Sequence, residues 1–205
     1  MSNERMPTVR KERAGAPARP DRRIVRTERA PGAALVDLMH ARDFRQISVR
    51  QVLERARVGR ATFYAHYRGK QDLLLSETER FWTAMEANFL RREGSAGRRL
   101  APLAELLAHV ADYDRFQRAI DRSGVREDVY GLLAAHVART IERRLAALRP
   151  EVGADALPRA ATARLLAAAF MELVRWWLER DARPSAAKMD ARFHDIAWRG
   201  VAANG

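Results

Sequence analysis

The sequence predicts an all-α protein in two parts: an N-terminal three-helix unit built on a helix-turn-helix, then a larger helical domain. Three observations carry that expectation. Apolar residues recur at three- and four-residue spacing through most of the chain beyond residue 30. No stretch alternates as a strand does. Residues 47–74, ISVRQVLERARVGRATFYAHYRGKQDLL, hold two short amphipathic segments joined by a tight link at Arg57-Val58-Gly59.

Composition narrows the class. The chain has 205 residues, 47% of them hydrophobic, enough for one large domain or two small ones. No apolar run approaches the ~18 residues of a membrane span. Zero cysteines exclude disulfide frameworks and cysteine-ligated metals. The opening residues, MSNERMPTVRKERAGAPARP, lack the apolar segment of a secretory signal, and a cytoplasmic location is expected. The net charge is +12, and it is unevenly placed. Residues 1–26 contribute +5, residues 27–70 another +5, and residues 71–205 only +2. A basic first third points to a polyanionic partner for that part of the chain. Arginine makes up 35 of the 38 basic residues, which suits bidentate phosphate and guanine contacts but also follows from coding bias.

Taken in order, residues 1–25 are rich in Arg, Pro, Ala and Gly without periodicity, and a disordered basic tail is expected there. A first helix is expected over about Pro31 to Arg42, with Leu35, Leu38 and Met39 as its stripe. Proline suits the first helical position, and the residue before it avoids the helical region. Asp43, as a left-handed residue, would end the helix. Ser48 suits an N-cap for the second helix, whose apolar face is Val49, Val52, Leu53 and Ala56. Gly59 opens the third, where Phe63 and Tyr67 share a face and Arg60, Thr62, Tyr64 and His66 stand between them. The core of this unit should be Leu35, Leu38, Phe44, Ile47, Val52, Leu53, Val58 and Phe63.

Lys70 starts a fourth helix running to about Arg92. Further helices are expected over about Pro102–Arg122, Arg126–Leu148, Arg159–Arg180 and Ser185–Ala202. The 159–180 segment is apolar on most of its circumference, so it is either the core of its own domain or a dimer seam. Trp176 and Trp177 are adjacent and point about 100° apart on a helix. One can face the core and the other a partner.

Arg50, Arg57, Arg60, Arg68 and Lys70 gather around the turn and the helix starts, where phosphates are readily held. A second helix of this kind enters the DNA major groove. Arg50 or Arg60 can read guanine, and Thr62 a thymine methyl. One such helix reads too few bases, so a two-fold dimer on a pseudo-palindromic duplex operator is expected.

The stretch from about Ala34 to Leu75 resembles the DNA-binding domain of the tetracycline-repressor (TetR) family, through F-x-x-I-S-V-R-x-V-x-E-R-A-x-V-x-R-A-T-F-Y-x-H-Y-x-x-K-x-D-L-L. FMELVRWWLERDARPSAAKM is similar to the penultimate helix, loop and last-helix start of many members. The resemblance implies a DNA-binding domain over residues 26–72 and an all-helical ligand-binding and dimerisation domain over 73–205. It further implies that Ser48 caps helix 2 and touches phosphate, that Arg50 reaches a base edge, and that Arg60, Ala61 and Thr62 open the recognition helix. Tyr64 and His66 would approach the backbone, and Lys70 would bind phosphate. Two positions depart from the family pattern: Arg57 stands where glycine is usual, and Gly59 where Ser or Asn is usual. Either Arg57 adopts the strained turn conformation or the turn differs. Pro31-Gly32 falls within the family's continuous helix 1, which implies a shortened or kinked helix here.

A ligand cavity is likewise implied by the resemblance, with Trp82, Met85, Phe89, His109, Tyr113, Phe116 and Phe170 as candidate liners. Each is also a plain core residue by its spacing. The histidines are scattered without metal-ligand spacing. No nucleophile-base-orienter set and no phosphate-binding glycine loop occurs, so neither an enzyme nor a bound cofactor is expected. The leading expectation is a repressor released by a small-molecule inducer. The alternatives are a DNA-binding regulator, including an activator, governed by a protein partner without a pocket, and a helical enzyme or carrier whose basic third is incidental.

Overall fold

The computed structural model describes residues 22–94, 97–111, 120, 123–148 and 157–202. Among them all regular secondary structure is helical: α1 (Arg22–Ala41), a 3₁₀ turn (Phe44–Gln46), α2 (Val49–Ala56), α3 (Arg60–His66), α4 (Lys70–Glu93), α5 (Leu103–Ala111), α6 (Arg126–Leu148), α7 (Arg159–Leu178) and α8 (Ala186–Ala202). The all-α expectation is met, with the helix-turn-helix at α2–α3 and the longer helices after it.

Two expectations at the N-terminus are corrected. Helix α1 begins at Arg22, so residues 22–25 are helical rather than tail, and Pro31 lies inside the helix instead of starting it. The stretch RRIVRTER contains good helix formers and neither Gly nor Pro. The helix continues through Pro31 even though an interior proline removes one backbone donor and crowds the carbonyl four residues before it. Residues 1–21 lie outside the described residues. Asp43 is extended (φ −65°, ψ 139°), not left-handed, and caps the 3₁₀ turn.

The first core gathers Leu35, Met39, Phe44, Ile47, Val52, Phe63 and Tyr67 with Leu73 and Leu74 of α4. Leu38 and Leu53 pack on its edge, and Val58 is half-buried. It also takes in Ile120, Val125 and Val129, so the helix-turn-helix unit is seated directly on the start of α6. Gly32 is buried in α1, and a Cβ there would sit on the Glu77 carboxylate of α4. A side chain at this position would have to displace the Glu77 carboxylate.

The second core is larger. Helices α6 and α7 pack along their lengths, α5 lies on α8, and α4 runs from one core into the other. Trp82, Phe170 and Phe193 meet edge-on at 6.4 and 5.7 Å between centroids. One buried polar network holds this domain together. The Arg99 guanidinium donates to Asp190 from Nε and Nη2, each at 2.8 Å, and to Glu105 at 2.9 and 2.6 Å. Asp190 also accepts from the Ala104 amide at 3.0 Å. Arg144 donates to the carbonyls of Arg99 and Gly94 at 3.0 and 2.8 Å and to that of Gly97, pinning the chain between α4 and α5. Burial would raise the Asp190 carboxyl, but hydrogen bonds from His194 and Arg99, and their charges, hold it at about 2.

Candidate nucleic-acid interface and internal cavity

Helix α2 is fixed at both ends by local chemistry. Ser48 Oγ accepts from the Gln51 amide at 3.2 Å, and Gln51 Oε1 accepts from the Ser48 amide at 2.8 Å, a complete capping box. At the other end Arg57 is left-handed (φ 54°, ψ 42°) and is the non-glycine residue with positive φ among the described residues. The link therefore keeps the glycine-type geometry and forces arginine into it. The Val58 amide closes the turn on the Leu53 carbonyl at 3.2 Å.

From that turn α3 projects with Gly59 as its N-cap and Phe63 and Tyr67 turned inward, their rings 5.4 Å apart. Everything else on it is outside: Arg60, Ala61, Thr62, Tyr64, Ala65 and His66 are exposed. The Arg60 guanidinium stands 5.5 Å over the Tyr64 ring. Arg50 is exposed on α2 and pairs with Glu54 at 2.7 Å, and that pairing raises its pKa. A phosphate or base contact by Arg50 has to compete with this exposed, weak pair. Arg68 pairs with Asp72 at 3.2 Å, while its amide donates to the same carboxylate at 3.0 Å. That backbone bond is the main cause of the lowered Asp72 pKa.

Lys70 is placed differently from the other cations. Its Nζ donates to the carbonyls of Phe44, Ile47 and Arg45 at 2.7, 2.6 and 3.3 Å and lies 4.6 Å from the Phe44 ring centroid. An ammonium has three donors, and here all three close the turn between α1 and α2. Burial lowers its pKa.

A cavity of about 240 Å³ lies where the two cores meet, among α1, α4, α5, α6 and α7. Its wall is apolar (Val36, Leu74, Phe81, Leu106, Val110, Ile120, Val129, Leu133, Met171 and Val174) except for Glu77, Thr78, His109 and Tyr130. Of the seven residues expected to line a cavity, His109 does, stacked on Phe81 at 4.3 Å. Trp82, Phe89 and Phe170 are fully buried core, and Met85 packs beside them. Tyr113 and Phe116 lie outside the described residues. The cavity sits nearer the helix-turn-helix than Trp82, Met85, Phe89 and Phe170 would place it. Glu77 was the available signal: it occupies an apolar phase of α4, four residues after Leu73 and four before Phe81.

No described helix is long and apolar enough to cross a membrane. The outer face of α7 and α8 nonetheless exposes Leu165, Trp176 and Ile196, with Leu166, Leu173 and Met189 between them. The tryptophan pair divides as the helical geometry requires. Trp177 is buried, donating from Nε1 to the Pro184 carbonyl at 2.7 Å, and Trp176 stands outside with Arg180 at 3.8 Å over its ring.

Comparison with known proteins agrees with this geometry. The family described as bacterial regulatory proteins, tetR family, matches residues 33–76. The chain is 36% identical over 61 residues to the uncharacterized HTH-type transcriptional regulator YxbF of Bacillus subtilis (strain 168), a match spanning 29% of this chain and 16% of that protein. The fold is similar to that of the dihydroxyacetone kinase operon activator DhaS (TM-score 0.66, 17% identity, 88% of this chain and 98% of that one). It is also similar to a TetR-family regulator from Syntrophomonas wolfei str. Goettingen (TM-score 0.58, 16% identity, 88% and 97%). The likeness to the tetR family of bacterial regulatory proteins rests on residues 33–76, the stretch that holds the helix-turn-helix; the solved structures add a likeness of fold.

Proposed function

We propose that the protein is a homodimeric, sequence-specific DNA-binding regulator of transcription, with a repressor released by a small molecule as the leading form. The observation that carries it is the division of α3: Phe63 and Tyr67 anchor the helix, and Arg60, Ala61, Thr62, Tyr64 and His66 form an open polar face beside a basic flank. In this reading residues 26–72 bind DNA and residues 73–205 bind ligand and partner. Arg60 and Thr62 read base edges; Ser48, Arg57, Tyr64 and His66 position the backbone, and Arg50 does either after leaving Glu54.

The apolar outer face of α7 and α8 is the proposed dimer seam, because a single short α3 cannot specify a site and two must stand ~34 Å apart. Ile196, 68% exposed, is the most exposed large apolar residue on that face. Ile196→Asp should give a monomer by sedimentation and abolish specific retardation of DNA. A variant that stays dimeric removes this seam from the proposal.

The central test is a gel shift with DNA flanking the protein's own gene, repeated across salt concentrations. Specific retardation should weaken steeply with salt, because phosphate contacts release counterions. Arg60→Ala and Thr62→Ala should relax preference at particular base pairs by about 1–3 kcal/mol each. Absence of specific retardation at every salt concentration sinks the reading. An activating role is the second reading, favoured by the likeness to a protein named as an operon activator. A reporter driven by the bound promoter, with and without the gene, decides the sign.

A further inference from the structure

Glu77 connects the internal cavity to the recognition helix. It is the charged side chain in the cavity wall among the described residues, and no Lys or Arg joins it there. Its carboxylate pairs with Arg80 one turn along α4, and Arg80 Nη2 also donates to the Tyr67 hydroxyl at 3.2 Å. Tyr67 is buried and is the C-cap of α3. Arg80 Nε is buried without a hydrogen-bond partner, and these two contacts, both from Nη2, are the guanidinium's bonds to protein groups among the described residues. The Thr78 hydroxyl is already committed to the Leu74 carbonyl at 2.9 Å.

We propose that the cavity takes a compact, mainly apolar amine, that Glu77 receives its ammonium group, and that capture of Glu77 loosens the Arg80–Tyr67 contact holding the recognition helix. This rests on the regulator reading above and specifies its ligand and its route. The cavity's volume of about 240 Å³ holds roughly ten to twelve non-hydrogen atoms at the packing density of protein interiors. Apolar walls favour a ring or branched chain. Glu77 is the charged group of the wall, and its partner Arg80 does not line the cavity, so the wall favours a cation and opposes a carboxylate or phosphate, whose charge would be buried beside a like charge. An ammonium placed on Glu77 competes with the guanidinium for the same oxygens. Arg80 then keeps only the tyrosine hydroxyl, a neutral and weaker partner.

The test uses the full chain and two readouts. Thermal melting is followed with 2-phenylethylamine and 2-cyclohexylethylamine, and with the alcohols and carboxylates built on the same skeletons. The amines should raise the melting temperature, the alcohols less, and the carboxylates not at all. Glu77→Gln should weaken amine binding at least tenfold while leaving the alcohols unchanged. In a gel shift the amines should release DNA from the native protein. Tyr67→Phe should still be stabilised by amine yet release DNA at least tenfold less readily. Equal stabilisation by carboxylates, no stabilisation by either amine, an unchanged affinity in Glu77→Gln, or normal release in Tyr67→Phe would each overturn the proposal. The melting arm needs no DNA, so failure of the regulator reading would appear separately, as absent retardation without amine.

Discussion

The two cores of this chain put their polar chemistry in opposite places. Around α2 and α3 the interior is apolar and the polar groups face out: Phe63 and Tyr67 go in, Arg60, Thr62 and His66 stay out. In the larger domain the strongest polar interactions are inside, where Arg99, Glu105, Asp190 and Arg144 join four separate segments. The first arrangement suits a surface that must meet a polyanion. The second suits a bundle whose loop and helix ends must be fixed around a cavity. Charge therefore has different consequences in each: removing it outside should alter binding, and removing it inside should alter folding.

The sharpest way to break that contrast is Arg99→Ala. It leaves Asp190 and Glu105 without their guanidinium, and losing one member of a buried pair costs about 3–5 kcal/mol. Arg99 keeps 28% of its side chain exposed, so a loss of about 2–4 kcal/mol in urea unfolding is expected. A change below about 0.5 kcal/mol, within the range of an ordinary surface substitution, would mean that the network is decorative.

Acid titration probes the same network more gently. The Asp190 carboxyl titrates at about 2 in the folded chain, against ~3.9 unfolded. Its folded pKa is depressed, so the stabilisation is fully present above pH ~4 and is lost as pH falls through about 2. The contribution is about 2 kcal/mol, and Asp190→Asn should flatten the stability profile over that interval. An unchanged slope in the variant would assign acid sensitivity to other carboxylates.

Lys70 tests the border between the two behaviours. The family resemblance makes it a phosphate ligand, whereas its three carbonyl contacts make it a clip on the 3₁₀ turn. As a clip, Lys70→Ala should cost about 1–2 kcal/mol of stability and leave the salt dependence of DNA binding unchanged. As a phosphate ligand it should lower the salt slope by about one with little loss of stability.

How far the sequence could be read follows the same contrast. The helix-turn-helix was legible because its determinants are local: Ser48 and Gln51 are three residues apart, and Phe63 and Tyr67 four. Helix α6 was also legible, with no proline inside Arg126–Leu148. Helix α1 departs from the reading because it runs back through Pro31 to Arg22, and residue spacing does not reveal that an interior proline is tolerated there. The cavity was misplaced because its wall draws on helices far apart in sequence, and the Arg99–Asp190 bond spans 91 residues. Nothing local marks such a pair in advance. Glu77 differed only in being a carboxylate at an apolar phase, a signal that becomes meaningful once Gly32 and Tyr67 are known to lie nearby.

The smallest expected effect separates stability from binding within the turn itself. Arg57 sits at φ 54°, where a side chain costs roughly 1–2 kcal/mol relative to glycine. Part of that strain is offset in Arg57→Gly by the greater freedom of glycine in the unfolded chain. A net gain of about 0.5–1 kcal/mol in stability is expected. If Arg57 also contacts a phosphate, the same variant should bind DNA more weakly, with its salt slope reduced by about one. Stability and affinity would then move in opposite directions from one substitution. A gain in stability with unchanged affinity would instead leave Arg57 without a role at the DNA, and a loss of stability would show that its side chain supports the turn it strains.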